Sequence, residues 1–97
     1  MAGLVIGIDI GTGSTKGVLA DTDGNVLFSE VVRHETSFPQ PGWAEHDADL
    51  IWWNDVVEIC RKLTAYAKGD VAGQCISGIG PVFLPANDRG VPLRPAI

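Results

Sequence analysis

Apolar residues along this chain come in runs whose period changes from one segment to the next. Leu4 to Ile10 is β-branched and apolar on both faces, broken only by Gly7 and Asp9, which is the pattern of a central strand. Gly11 to Ser14 reads as a turn, and Val18 to Ala20 resumes the apolar run, so the opening predicts a hairpin. Asp21-Thr22-Asp23-Gly24-Asn25 is a second turn signal, and Val26 to Arg33 follows as a third strand. Three strands joined by short turns make an antiparallel meander.

The loop Ser37-Phe38-Pro39-Gln40-Pro41-Gly42-Trp43 is stiffened by prolines. From Asp47 to Ala67 the period becomes helical. Leu50, Trp53, Val57, Cys60, Leu63 or Thr64, and Ala67 recur at three- and four-residue steps and predict the face that packs on the sheet. Asp47 suits the N-cap, Asp49 the positive end of the helix dipole, and Gly69 the C-terminal stop. Val71 to Ile79 reads as a fourth strand. Phe83 to Ala86 reads as a short strand, turned by Asn87-Asp88-Arg89-Gly90 into Val91-Pro92-Leu93. A helix between strands three and four allows strand four to lie parallel to strand one. The predicted class is α/β, in the order β-β-β-α-β.

Ninety-seven residues, 45% apolar and 20% charged, fit one small globular unit or part of a larger one. The net charge of −5 and the lack of any lysine or arginine cluster argue against nucleic acid as a partner. No run of 18 apolar residues suits a membrane span, and no basic flank and apolar stretch suit a signal peptide, so the expected location is the cytoplasm. Cys60 and Cys75 fall in apolar segments and are expected as two buried thiols in a reducing compartment, without a disulfide or zinc.

Asp9 is the residue that such a run does not explain. A carboxylate inside a buried strand costs several kcal/mol, of the order of ionic desolvation, unless something faces it. The dinucleotide fingerprint fails here, because after Gly11 and Gly13 the next glycine is Gly17, one position late, and strand rather than helix follows. The P-loop fails as well, because Lys16 follows Thr15 and precedes Gly17. What remains is a hairpin turn of small residues with exposed N–H groups, the hydroxyls of Thr12, Ser14 and Thr15, and the Lys16 cation. Such donors suit phosphate oxygens, and Asp9 suits a hydrated Mg²⁺ bridging them. The plainer alternative is a Gly-rich hairpin in which Asp9 caps its own turn.

The string Gly7-Ile8-Asp9-Ile10-Gly11-Thr12-Gly13-Ser14-Thr15-Lys16 resembles the first phosphate motif of the FGGY carbohydrate kinases, which include xylulokinase, gluconokinase and glycerol kinase. Pro39-Gln40-Pro41-Gly42-Trp43-Ala44-Glu45-His46-Asp47 resembles their P-x-P-G-W-x-E-x-D segment, and Ile51-Trp52-Trp53 the aromatic pair after it. Asn87 to Ile97 resembles their D-x-x-G-x-P-L-R-P-A-I segment. The resemblance runs in register along the chain. It implies a ribonuclease H-like half-domain of the actin/hexokinase/Hsp70 superfamily, residues 1–97 being the N-terminal part of the first of two kinase domains. It also implies ATP and Mg²⁺ as cofactors and phosphorylation of a sugar, ketose, polyol or sugar acid. Asp9 would hold Mg²⁺ through water, Thr12, Gly13 and Ser14 would line the phosphate turn, and Lys16 would approach a phosphate. The family's catalytic base lies beyond the position matched by Ile97, and a homodimer of the complete enzyme is compatible with the family.

Two departures limit the carry-over. Ser77-Gly78-Ile79-Gly80-Pro81-Val82 stands where xylulokinases have a Met-His pair touching the sugar, and the Arg-Glu pair of glycerol kinases is absent too, so the substrate stays open. The chain is also far shorter than a complete kinase, which leaves a non-catalytic fragment, or another small-molecule kinase of the superfamily, as alternatives. Of the remaining residues, Trp43 is expected to pack against the helix and Trp52 and Trp53 to lie in the core. His34 is expected on the strand surface and His46 outside the chemistry.

Overall fold

A computed structural model of the chain describes residues 3–97. Strands β1 (Leu4–Ile10), β2 (Ser14–Ala20) and β3 (Val26–Arg33) form the expected antiparallel meander. Helix α1 (Asn54–Tyr66) crosses over to β4 (Val71–Gly78), which lies parallel to β1. The sheet order is β3-β2-β1-β4, so β1 is interior and its C-terminal end, with the turn after it, lies beside the end of β4.

Among the described residues, only one face of the sheet is covered. Leu4, Ile6 and Ile8 of β1 and Leu19 of β2 meet Val56, Ile59, Leu63 and Ala67 of the helical segment in a single core. Each fully buried aliphatic side chain contributes roughly 1.5–3 kcal/mol, so this layer is the main source of cohesion. Val5, Asp9, Lys16 and Cys75 belong to the opposite, bare face and are exposed. The two-faced burial expected of residues 4–10 is therefore half realised, and Asp9 carries no burial penalty.

The helix presents a face rotated from the expected one. Leu50 and Trp53 are 70% and 63% exposed, and the core takes Val56, Ile59, Leu63 and Ala67, with Cys60 partly buried beside them. Two features set the phase. The helix opens with a wide π-type turn over Ala48–Trp53, which delays the rotation relative to a regular helix, and Asp47 caps it by accepting from the Asp49 and Leu50 N–H groups at 3.0 and 2.8 Å. The doublets Val56-Val57 and Ile59-Cys60 leave two apolar stripes side by side in the sequence, and Gly17 decides between them. A Cβ on Gly17 would lie 2.3 Å from Ile59 Cγ2, so Ile59 seats directly on the bare backbone of β2. At the other end, the chain leaves the helix one residue before the expected stop at Gly69: Lys68 takes the left-handed position at φ +53°, its N–H donating to the Ala65 carbonyl and the Gly69 N–H to the Thr64 carbonyl, each at 3.1 Å.

Residues 83–97 fold back as a loose hairpin rather than as the expected short strand. Phe83 and Ile97 exchange backbone hydrogen bonds at 2.7 and 3.0 Å, and the Asn87–Gly90 turn forms as expected around the Asn87 side chain. The thiols also depart from expectation. Cys75 is exposed on the bare face, while Cys60 is half-buried and donates to Gln74 Oε1 at 3.4 Å.

Two measurements check this packing. Gly17→Ala is expected to destabilise the chain by about 1–3 kcal/mol, the scale of overpacking, because a β-branched Ile59 cannot swing aside; an unchanged denaturation midpoint would contradict the contact. Burial pushes the Cys60 thiol up, so less of it is thiolate near neutrality. Alkylation followed by mass spectrometry should modify Cys75 first, with Cys60 catching up only at higher pH; equal rates near neutrality would place both thiols in the same environment.

Candidate functional site

The site is built at the β1–β2 hairpin. Asp9 and Lys16 are direct partners across the two strands, so both side chains stand on the bare face. Ser77 of β4 pairs with Asp9 from the other side and its hydroxyl lies 3.3 Å from Asp9 Oδ1. Among the described residues no carboxylate lies within 4.0 Å of the Lys16 ammonium. Carboxylate, hydroxyl and free cation thus share one exposed ledge at the end of the sheet.

The turn beside the ledge is tight and open. The Gly11 N–H donates to the Ser14 carbonyl at 2.8 Å, closing the loop. Thr12 and Gly13 are exposed, and a Cβ on Gly13 would meet nothing within 4 Å. Among the described residues the Thr12 and Gly13 N–H groups have no acceptor within the chain. Thr15 is different. It is fully buried, and its hydroxyl donates to Asp55 Oδ2 at 2.7 Å, so it offers nothing to a ligand. Of the three hydroxyls that the sequence offers, only those of Thr12 and Ser14 remain.

Behind the turn lies a polar cluster that sequence reasoning missed. His34 is a buried side chain, not a surface one, with Nδ1 2.7 Å from Asp55 Oδ2 and Nε2 2.9 Å from the Gly11 carbonyl. His46 is buried as well, with Nε2 3.0 Å from the Thr12 carbonyl and 3.1 Å from the Thr36 hydroxyl. The segment that carries these groups is fixed by reciprocal backbone pairs, Ser37 with Glu45 and His46 with Ala96, and by the Glu45–Arg94 ion pair. A buried residue on α1, two histidines and a proline-stiffened loop therefore converge on the backbone of one turn. The sequence signal was the Asp at position 55, on the helix stripe that seats Ile59.

The tryptophans divide. Trp43, expected against the helix, is 46% exposed, lines a cleft with Arg94 and Ile97 and is not part of the sheet–helix core. Trp53 is exposed rather than in the core. Trp52 is half-buried beside Ile10, Gly78, Ile79 and Val82, and its indole N–H is buried without an acceptor among the described residues. That cleft opens at the same end of the sheet as the hairpin turn.

The donor set suits phosphate and a hydrated cation. Two unpaired N–H groups and an ammonium match phosphate oxygens in kind. Among the described residues no three His, Cys, Asp or Glu side chains converge, so a cation on Asp9 would keep water and phosphate oxygens as its other ligands, as Mg²⁺ commonly does.

Comparison with known proteins gives the family. The model of the FGGY family of carbohydrate kinases, N-terminal domain, matches residues 4–97. A glycerol kinase of Renibacterium salmoninarum is 38% identical over 80 residues, which cover 82% of this chain and 15% of that protein. A xylulose kinase of Staphylococcus xylosus is 35% identical over 94 residues, 96% of this chain and 19% of that protein. Among solved structures, the xylulose kinase of Rhodospirillum rubrum superposes with a TM-score of 0.86 at 35% identity, covering 96% of this chain and 20% of its own. The gluconate kinase of Lactobacillus acidophilus gives 0.85 at 30% identity, covering 97% and 19%. The chain thus spans a fifth or less of the length of the relatives it matches. On the family match and on these likenesses together, the chain belongs to the FGGY family of carbohydrate kinases, in their N-terminal domain.

Proposed function

We propose that this chain supplies the first phosphate- and Mg²⁺-binding hairpin of an ATP-dependent kinase that phosphorylates a hydroxyl of a sugar, polyol or sugar acid. The observation that carries the reading is the pairing of Asp9 with Lys16 on one exposed face, next to a turn with unpaired N–H groups at Thr12 and Gly13. In it Asp9 holds Mg²⁺ through water, the turn from Thr12 to Ser14 donates to phosphate oxygens, and Lys16 places a positive charge beside them. Mg²⁺ and the nucleotide, when bound, supply the transferable phosphoryl group and neutralise its oxygens. What the chain itself provides is fixed donors that need no reorganisation.

Transfer also needs a hydroxyl, a base and the adenosine end of the nucleotide held in line. In this reading those parts belong to the four fifths of relative-type kinase length outside the match, and the work takes place in the cytoplasm. The acceptor site is assigned to the end of β4, where the cleft beside Trp52 adjoins Gly78 and Ile79. Its chemistry differs from the Met-His pair of xylulokinase-like sequences, so the particular sugar follows from assay rather than from resemblance.

Two variants test the hairpin in a complete kinase carrying this segment. Asp9→Asn is expected to lower kcat about a hundredfold, corresponding to roughly 3 kcal/mol of lost transition-state stabilisation, with little change in melting temperature because Asp9 is exposed. Lys16→Ala is expected to slow the same step while the KM for the sugar stays nearly constant. Turnover that survives Asp9→Asn at saturating Mg²⁺ and ATP would reduce Asp9 to a turn residue. The 97-residue chain alone, given labelled ATP, Mg²⁺ and a panel of ketoses, polyols and aldonates, is expected to form no product. Sugar-dependent product above an Asp9→Asn control would show that the hairpin does not need the remaining length.

A further inference from the structure

We infer that His34 and His46 are positioning residues for the phosphate turn, acting on its carbonyls so that its N–H groups face outward. Three consecutive carbonyls of the turn are taken by one segment of chain: Gly11 by the His34 ring, Thr12 by the His46 ring and the Thr36 hydroxyl, and Gly13 by the His34 backbone N–H at 3.1 Å. In a trans peptide the C=O of one residue and the N–H of the next point in opposite directions. The only cis peptide among the described residues is Gly80-Pro81, so all three bonds of the turn obey this rule. Holding the carbonyls of Gly11, Thr12 and Gly13 toward the 34–46 segment therefore turns the N–H groups of Thr12, Gly13 and Ser14 away from it. A flexible Gly-x-Gly turn, left alone, would spend much of its time with those amides elsewhere.

The proton positions follow from the partners. A carbonyl only accepts, so His34 Nε2 carries a hydrogen and donates it to Gly11. His34 Nδ1 and Asp55 Oδ2 share a second hydrogen, and Asp55 accepts from Thr15 as well. Asp55 on α1 thereby fixes the ring that fixes the turn. His46 donates from Nε2 by the same reasoning, its ring wedged edge-on against His34 at 5.3 Å and tilted over Trp52 at 5.6 Å. Neither histidine reaches the ledge where Asp9 and Lys16 stand, so their effect on a ligand passes through the backbone.

This inference rests on the phosphate-binding reading, and one titration separates the two. The 97-residue chain, labelled with ¹⁵N, is titrated with inorganic pyrophosphate in the presence of Mg²⁺ and followed by the amide signals of Thr12, Gly13 and Ser14. The wild type is expected to shift at these three amides. His46→Leu and His34→Phe are expected to weaken the response about tenfold, the scale of one lost hydrogen bond, and His46→Gln, whose amide still donates to Thr12, to restore most of it. No shift in the wild type would overturn the phosphate reading and this inference together. A wild-type shift that His34→Phe and His46→Leu leave unchanged would overturn this inference alone. Should His34→Phe lose its dispersed spectrum, the ring signals of the wild type decide: a slowly exchanging Nε2–H on His34 supports the positioning role, and an unprotonated Nε2 overturns it.

Discussion

The buried Asp55 carboxylate ties together the hairpin end of this structure. It is 6% exposed, and it accepts from the Thr15 hydroxyl on β2 and bonds the His34 ring just past β3. A desolvated carboxylate left with one partner would cost several kcal/mol, so helix, hairpin and loop are obliged to stay in register with one another. The nearby Gly17–Ile59 contact makes the same demand sterically. Polar satisfaction and close packing thus fix the same helix phase from two directions, and Lys16 sits in sequence between the two fixed points.

The layers around that anchor have unequal roles. Between sheet and helix lies a conventional aliphatic core, with Phe28 stacked on Tyr66 at its edge and the Tyr66 hydroxyl donating to Glu30. That hydrogen bond holds the Tyr66 phenol above its ordinary pKa, since the bond is made by the neutral form. The opposite face of the sheet is polar near the turn and apolar farther along, with Val5 37% exposed. A ledge bearing Asp9 and Lys16 needs such an opening if a ligand is to reach both.

Much of the architecture was legible because it rests on local signals. The meander followed from turn residues at Gly11–Ser14 and Asp21–Asn25, the helix start from Asp47, and the parallel fourth strand from the helix between strands three and four. The helix phase was not legible, since Val56-Val57 and Ile59-Cys60 offer two equivalent stripes and the wide turn at Ala48–Trp53 leaves no mark in the hydrophobic pattern. At the candidate site, the positions of Asp9 and Lys16 beside the turn could be read from the strand and turn pattern. The contacts of His34, His46 and Asp55 could not, because each reaches across 21 or more positions of sequence. Thr15 shows the same limit: among hydroxyls in a Gly-rich turn, only the fold tells which one faces inward.

The dependence of the turn on Ser37–Glu45 and His46–Ala96 pairing has a consequence for protein engineering. The stretch from Gly7 to Lys16 has the look of a portable module, short and contiguous. Its carbonyls, however, are held by residues of the 34–46 segment, which is itself paired to Ala96. A synthetic hairpin of residues 4–20 would carry every side chain of the motif and little of its preorganisation. Transplanting this turn into another scaffold means transplanting the loop behind it, and the smallest unit that keeps the geometry is nearly the whole chain.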